Sequence, residues 1–107
     1  MGYYTNFDIS VLDDKITEDI LESLTNITEY EFDRTRYGVH ICASWGNFEK
    51  DMCELSRLYP NKIFIVDGEG EENDDVWKMY WKNGKFQESN RTVIYEPFDE
   101  KELREWN

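Results

Sequence analysis

Residues 76–87, with the sequence VWKMYWKNGKFQ, constrain the fold more than any other stretch of the chain. Apolar and polar residues alternate up to Asn83-Gly84, and alternation of period two is typical of a strand with one buried face. Asn-Gly is the strongest short hairpin signal, because both central residues of the favoured turn need positive φ. The stretch therefore predicts an antiparallel hairpin. Its first strand directs Trp77, Met79 and Trp81 to one face and Lys78, Tyr80 and Lys82 to the other.

Three further stretches predict strands, two by alternation and one by a short apolar run. The alternating apolar residues are Phe7, Ile9 and Val11 in the first strand, and Val39, Ile41, Ala43 and Trp45 in the second. The run KIFIV is almost continuously apolar, which suits a central position in a sheet. We expect the strand that returns from the Asn-Gly turn to cover residues 85–87 and to resume over residues 91–98.

Two stretches predict amphipathic helices. Thr17 is placed as the N-cap of the first, with Glu18 and Asp19 in the first turn, where the helix dipole favours negative charge. Asn47 is placed as the N-cap of the second, and Pro60 ends it. The apolar stripes are Ile20, Leu21, Leu24 and Ile27 in the first helix, and Phe48, Met52, Leu55 and Tyr59 in the second.

The end of the chain, PFDEKELREW, predicts a short third helix. Asp99 and Glu102 have the spacing of a capping box, and Phe98 and Leu103 have the spacing of a hydrophobic staple. With 107 residues and no linker or repeat, the chain predicts one α+β domain over residues 1–107. The predicted architecture is a ferredoxin-like two-layer sandwich: a mainly antiparallel sheet with two helices on one face, an added C-terminal hairpin strand and a short C-terminal helix.

The segment FEKDMCELSRLYPNKIFIVDGEGEENDDVWKMYWKNGKFQ, residues 48–87, resembles part of a known group of proteins. It is similar to the helix, strand and hairpin half of small phage and plasmid proteins in the YubB-type ferredoxin-like group. The opening MGYYTNFDISV and the ending YEPFDEKEL also resemble a set of uncharacterised bacteriophage proteins. The resemblance implies a ferredoxin-like fold and a phage source, and it transfers no catalytic residue.

Charge limits the classes of partner. The chain has 24 acidic and 12 basic residues, which gives a formal net charge of -12. Such a surface repels nucleic acids and anionic membranes and attracts basic protein surfaces. No signal peptide or membrane span is recognisable, so we expect a cytoplasmic protein. We interpret Cys42 and Cys53, the two cysteines, as reduced and buried.

The stretch VDGEGEENDDVW concentrates carboxylates between two apolar segments. A calcium loop is not predicted, because Glu72 stands where the turn needs Gly and Lys78 where a bidentate Glu is needed. A pair of catalytic acids would need environments that separate their pKa values, and a water-exposed loop does not offer them. Two interpretations stay open: a solvated connection, and an acidic surface that imitates phosphates in a basic groove. For the second, the candidate residues are Asp67, Glu69, Glu71, Glu72, Asp74 and Asp75, together with Glu18, Asp19 and Glu22 of the first helix.

The hairpin suggests a second kind of site. Its outward face carries basic and aromatic residues, and sheet platforms use such residues to stack bases or nucleotides. The alternative is that the lysines only prevent pairing between sheet edges. The candidate ligand-binding residues are Lys78, Tyr80, Lys82 and Lys85, with Trp45 or Trp81. A nucleotide would then occupy a pocket between the protomers of a homodimer.

Catalysis is not expected. His40 is the only histidine, and it alternates with Cys42 on the second strand, about 7 Å apart by strand geometry. A Cys-His pair needs contact at about 3 Å, so we interpret both as packing or surface residues. The sequence therefore favours a phage-encoded acidic inhibitor, without cofactor or metal, that binds a host defence protein with a basic surface, such as a CRISPR effector or a nuclease. The alternative is a binder that sequesters a nucleotide immune signal.

Overall fold

The computed structural model describes residues 3–72, 75–89 and 97–106. These residues form one antiparallel sheet and two α-helices. The strands are β1 Thr5–Val11, β2 Asp33–Arg34, β3 Gly38–Ala43, β4 Phe64–Glu69, β5 Val76–Lys82, β6 Lys85–Ser89 and β7 Arg104–Glu105. The helices are α1 Glu18–Ile27, between β1 and β2, and α2 Phe48–Leu58, between β3 and β4. The predicted α+β class with a mainly antiparallel sheet is confirmed.

The strand order in the sheet is β2-β3-β1-β4-β5-β6-β7. β1 is the third strand in this order and pairs with β3 on one side and with β4 on the other. β4, β5, β6 and β7 then follow one another across the second half of the sheet, each antiparallel to its neighbour. The two pairings of β1 therefore join distant segments, whereas β2 with β3 and the strands from β4 to β7 pair in chain order.

The helix signals in the sequence are largely confirmed. Thr17 caps α1, since its side-chain oxygen accepts a hydrogen bond from the backbone N–H of Ile20. α2 begins after Asn47 as predicted, but the side chain of Asn47 makes no capping hydrogen bond. The apolar stripes of both helices join the inward faces of the strands in one core, in which Trp81, Phe64 and Met52 are among the fully buried residues.

The hairpin is also confirmed. Lys82 pairs with Lys85 across Asn83-Gly84, and these two residues have φ values of 48° and 78°. Met79 and Trp81 lie in the core and Trp77 packs against it, as the alternation predicts.

Three details differ from the sequence predictions. β4 extends through Asp67 to Glu69, beyond the apolar run, because β1 and β5 pair with it along this whole length. The short strands β2 and β7 had no sequence signal. The prediction of a third helix is wrong, because Glu100–Glu102 form one 3₁₀ turn capped by Asp99 and the chain then enters β7. The predicted resumption of the returning strand falls mainly on residues 91–96, outside the described residues.

The pairing registers define two ends of the sheet. At one end Asn6 lies opposite Glu69, and at the other Ser10 lies opposite Gly38. The connection from β4 to β5 leaves the sheet at the first end. The connection from β1 to α1 and the turn between β2 and β3 lie at the second end. We call them the acidic end and the groove end. No helix in the described ranges is long and apolar enough to cross a bilayer.

Candidate functional site

The acidic stretch is divided between a strand and a connection. Asp67 and Glu69 lie in β4, so the sequence interpretation of the whole stretch as a loop is wrong. The Asp67 carboxylate forms an ion pair with Lys78, which lies directly opposite on β5, with 2.6 Å between Oδ1 and Nζ. Glu69, Glu71 and Glu72 are exposed, and Asp75 is half-buried. Asp74 lies outside the described residues.

The connection is held against the start of the chain. The Tyr3 hydroxyl donates to Asp75 Oδ2 at 2.8 Å and accepts from the backbone N–H of Glu72 at 3.0 Å. The backbone N–H of Tyr4 donates to the Glu71 carboxylate. Within the connection, the Gly70 N–H donates to the Asp75 carbonyl at 2.7 Å. We call these contacts the tyrosine clamp, and they hold Gly70, Glu71, Glu72 and Asp75 in a specific arrangement against the start of the chain.

The tyrosine clamp can form because Gly70 has no side chain. A Cβ at this position would lie 1.9 Å from Asp75 Oδ2 and 2.4 Å from the Tyr3 hydroxyl oxygen. The clamp also shifts the ionisation of the phenol. The N–H of Glu72 stabilises the phenolate, but partial desolvation together with the Asp75 carboxylate outweighs this, and the pKa of Tyr3 is raised.

Further carboxylates lie at the same end of the sheet. α1 ends at Ile27, and the connection from α1 to β2 carries the exposed Glu29 and Glu31. The Tyr30 hydroxyl donates to the Ser44 carbonyl at 2.8 Å, which ties this connection to the end of β3. The exposed carboxylates at the acidic end thus include those of Glu29, Glu31, Glu69, Glu71 and Glu72.

Glu18, Asp19 and Glu22 do not reinforce this surface. They are exposed on the first two turns of α1, which starts at the groove end. Glu18 forms an ion pair with Arg34 at 2.7 Å. The hypothesis that the start of the first helix reinforces the acidic stretch is therefore wrong, because α1 begins at the opposite end of β1.

The outward face of the hairpin is occupied by contacts within the chain. Lys78 pairs with Asp67, Lys82 with Glu100 at 2.5 Å and Lys85 with Glu105 at 3.3 Å. The bond from Lys82 lowers the pKa of Glu100. Tyr80 is buried with its ring 5.5 Å from that of Phe98, and the N–H of Asp99 donates to the Gln87 side chain at 3.0 Å. Residues 97–99 thus cover the face on which the sequence predicted a ligand.

The two tryptophans assigned to that ligand lie elsewhere. Trp81 has 0% exposure and lies in the core against Phe48 of α2, on the face of β5 opposite to Tyr80. Trp45 is buried, and its indole N–H donates to Asp51 at 2.7 Å. The predicted set is therefore not brought together, because alternation sends Trp81 to the core.

His40 has a partner that the sequence did not indicate. Its Nδ1 lies 2.9 Å from Oδ1 of Asp8, directly opposite on β1. Cys42 is exposed on the same strand, so the prediction that both cysteines are buried is wrong for Cys42. Cys53 is buried, and desolvation raises the pKa of its thiol.

A groove of about 660 Å³ lies at the groove end. It runs between the start of α1 and the turn from β2 to β3, and three of its five charged side chains are cationic: Lys15, Arg34 and Arg36 against Asp14 and Glu18. Tyr37, in the same lining, is 76% exposed. We call it the basic groove. The sequence interpretation missed it, although an exposed aromatic next to two arginines in RTRYG was the available signal.

Within the ranges the structure describes, no three His, Cys, Asp or Glu side chains are grouped so as to hold a metal ion. Comparison with family models, curated proteins and solved structures gave no significant match.

Proposed function

We propose that the protein is a non-enzymatic acidic inhibitor that binds a basic, nucleic-acid-handling protein through its acidic end. The observation that carries the proposal is the tyrosine clamp, which holds the exposed Glu71 and Glu72 in one hydrogen-bonded arrangement beside Glu69 of β4. A surface ordered before binding loses less conformational entropy on association than a loose loop does.

The partners of these carboxylates support the same role. Glu71 accepts from a backbone N–H, and Asp75 accepts from a tyrosine hydroxyl. These donors are neutral, so they orient the carboxylates without cancelling their charge. The net charge of -12 adds to the attraction of the acidic end for a positive surface, so association should be fast and salt-sensitive.

The proposed partner is a host defence protein, such as a CRISPR effector or a nuclease, encountered in the host cytoplasm. The resemblance of residues 48–87 to phage and plasmid proteins supports this class of partner. We also propose a ferredoxin-like core with both helices on one face, extended by β5, β6 and β7. The chain order β1-α1-β2-β3-α2-β4 and the sheet order β2-β3-β1-β4 support it.

The test uses two triple variants with the same change of charge. Glu69→Gln, Glu71→Gln and Glu72→Gln neutralise the acidic end, and the amide introduced by Glu71→Gln keeps an acceptor oxygen for the Tyr4 N–H. Glu18→Gln, Asp19→Asn and Glu22→Gln neutralise the start of α1 as the control. Each protein is used to capture partners from bacterial lysate at low and high salt, and the nuclease activity of any identified partner is then assayed.

The expected result is an identified nucleic-acid enzyme that wild type captures at low salt and inhibits. The variant of the acidic end should lose this inhibition by about tenfold or more, because removed interfacial charges slow association and weaken the complex. The control should inhibit as wild type does. Equal inhibition by both variants, or no captured nucleic-acid enzyme at either salt, would contradict the proposal.

A further inference from the structure

We infer that the basic groove binds a small nucleotide, that is, a phosphate-bearing molecule with a planar ring. This inference does not rest on the proposed function, because the groove and the acidic end lie at opposite ends of β1.

The first argument is the local charge. Lys15, Arg34 and Arg36 line one groove in a protein with twice as many acidic as basic residues. Of the two carboxylates present, Asp14 pairs with Lys62, which holds the pKa of Asp14 below its usual value, and Glu18 pairs with Arg34. No ion pair among the described residues engages Lys15 or Arg36. Two cations therefore remain for an anion, and Arg offers the planar fork that suits phosphate oxygens.

The second argument is the exposed aromatic ring. Tyr37 has the highest exposure of the large hydrophobic residues in the described part of the chain, at 76%. The Arg36 guanidinium carbon lies 5.8 Å from the centre of the Tyr37 ring. An exposed ring beside a guanidinium that has no ion pair within the described ranges gives a stacking surface next to a phosphate-binding group, the combination that proteins use for unpaired bases.

Size selects the ligand class. A groove of about 660 Å³ falls within the range of about 300 to 1,000 Å³ of small-molecule sites. The overall charge of -12 opposes a long polyanion, whose many phosphates would meet acidic surfaces outside the groove. A nucleoside diphosphate fits both conditions, since its ring can stack on Tyr37 while its phosphates reach Arg36 and Lys15.

The experiment is calorimetric titration of the full chain with ADP, GDP, CDP and UDP, and with inorganic phosphate as the probe without a ring. Arg36→Gln removes a phosphate contact, Tyr37→Ala removes the ring and Glu18→Gln releases Arg34 from its ion pair. Lys101→Gln, an exposed change of the same charge outside the groove, is the control. Far-UV circular dichroism checks that each variant is folded.

We expect at least one diphosphate to bind with one site per chain. Arg36→Gln should weaken it about tenfold or more, as expected for the loss of a charge-assisted hydrogen bond. Tyr37→Ala should weaken the nucleotide and leave phosphate unchanged, Glu18→Gln should tighten binding severalfold, and Lys101→Gln should have no effect.

Several results would overturn the inference. Absence of binding by all four diphosphates at millimolar concentration would do so, as would binding that Arg36→Gln leaves unchanged. Phosphate binding as tightly as the nucleotides, together with no effect of Tyr37→Ala, would exclude a ring-binding site.

Discussion

The acidic end and the groove end both carry carboxylates, but the partners of those carboxylates differ. At the acidic end, Asp75 and Glu71 accept from a tyrosine hydroxyl and a backbone N–H, which are neutral. At the groove end, Asp14 and Glu18 pair with Lys62 and Arg34, which carry positive charge. The acidic end therefore stays strongly negative, whereas the lining of the basic groove has three cationic side chains against two carboxylates. A count of acidic residues along the sequence does not distinguish these two outcomes.

The difference also extends to titration. At the acidic end the clamp raises the pKa of Tyr3, and at the groove end Lys62 lowers the pKa of Asp14. The contacts of the two ends should consequently be lost at opposite extremes of pH.

Tyr37 of the basic groove is a surface residue, whereas Trp81 of the hairpin belongs to the core, so their replacement should affect stability very differently. Trp81→Ala should lower the free energy of unfolding by about 3 to 5 kcal/mol, because it leaves a cavity in the core. Tyr37→Ala should change it by no more than about 0.5 kcal/mol. Urea unfolding of both variants measures the difference, and a similar loss of stability for the two would contradict the assignment of Trp81 to the core and Tyr37 to the surface.

The acidic end depends on close packing at Gly70. Gly70→Ala should lower the free energy of unfolding by about 1 to 3 kcal/mol, because the added methyl group overlaps Asp75 and Tyr3. Gly46→Ala is the matched control, since a Cβ there has nothing within 4 Å. Urea unfolding compares the two variants. If Gly70→Ala is as stable as Gly46→Ala, the clamp does not restrict this position.

The groove end should lose its ion pair in acid. The lowered pKa of Asp14 means that its charged form is favoured in the folded state, so its contribution to stability is present above the ordinary value of about 4 and is lost as pH falls through the folded pKa. Lys62→Gln should raise the pKa of Asp14 and weaken this acid dependence slightly. Carboxyl NMR titration measures the pKa, with Lys101→Gln as control. An unchanged Asp14 titration would show that Lys62 is not the cause.

The acidic end should lose its clamp in alkali. The raised pKa of Tyr3 means that its neutral form is favoured in the folded state, so its contribution is complete below about pH 10 and is lost as pH rises through the folded pKa. Tyr3→Phe should lower the urea midpoint slightly at neutral pH and remove this alkaline dependence. Tyr4→Phe is the control, because only the backbone of Tyr4 takes part.

Phenolate absorbance, taken as the difference between wild type and Tyr3→Phe, measures the pKa of Tyr3. Asp75→Asn should bring it closer to the ordinary value, since the carboxylate is one of the groups that raise it. A Tyr3 that titrates at or below the ordinary value would contradict the clamp.

Elements whose signals lie within a few residues of one another could be predicted from the sequence. Thr17 at the start of α1, the alternation in β1 and β3, and Asn83-Gly84 each act on their immediate neighbours, and all of these predictions are confirmed. The inward direction of Met79 and Trp81 followed from alternation as well. These features depend on backbone preference and side-chain period, which a single sequence contains.

The distribution of the charged segments over the surface depends on contacts between residues that are distant in the chain. Tyr3 meets Asp75 across 72 positions of the chain, and Lys62 meets Asp14 across 48. The basic groove combines residues of two separate segments, and the pairing of β1 with β3 and β4 sends the two acidic groups to opposite ends. The physical reason is that a charge acts on whatever lies nearest in space. Neighbours in space are set by strand register and core packing, which the local pattern does not contain.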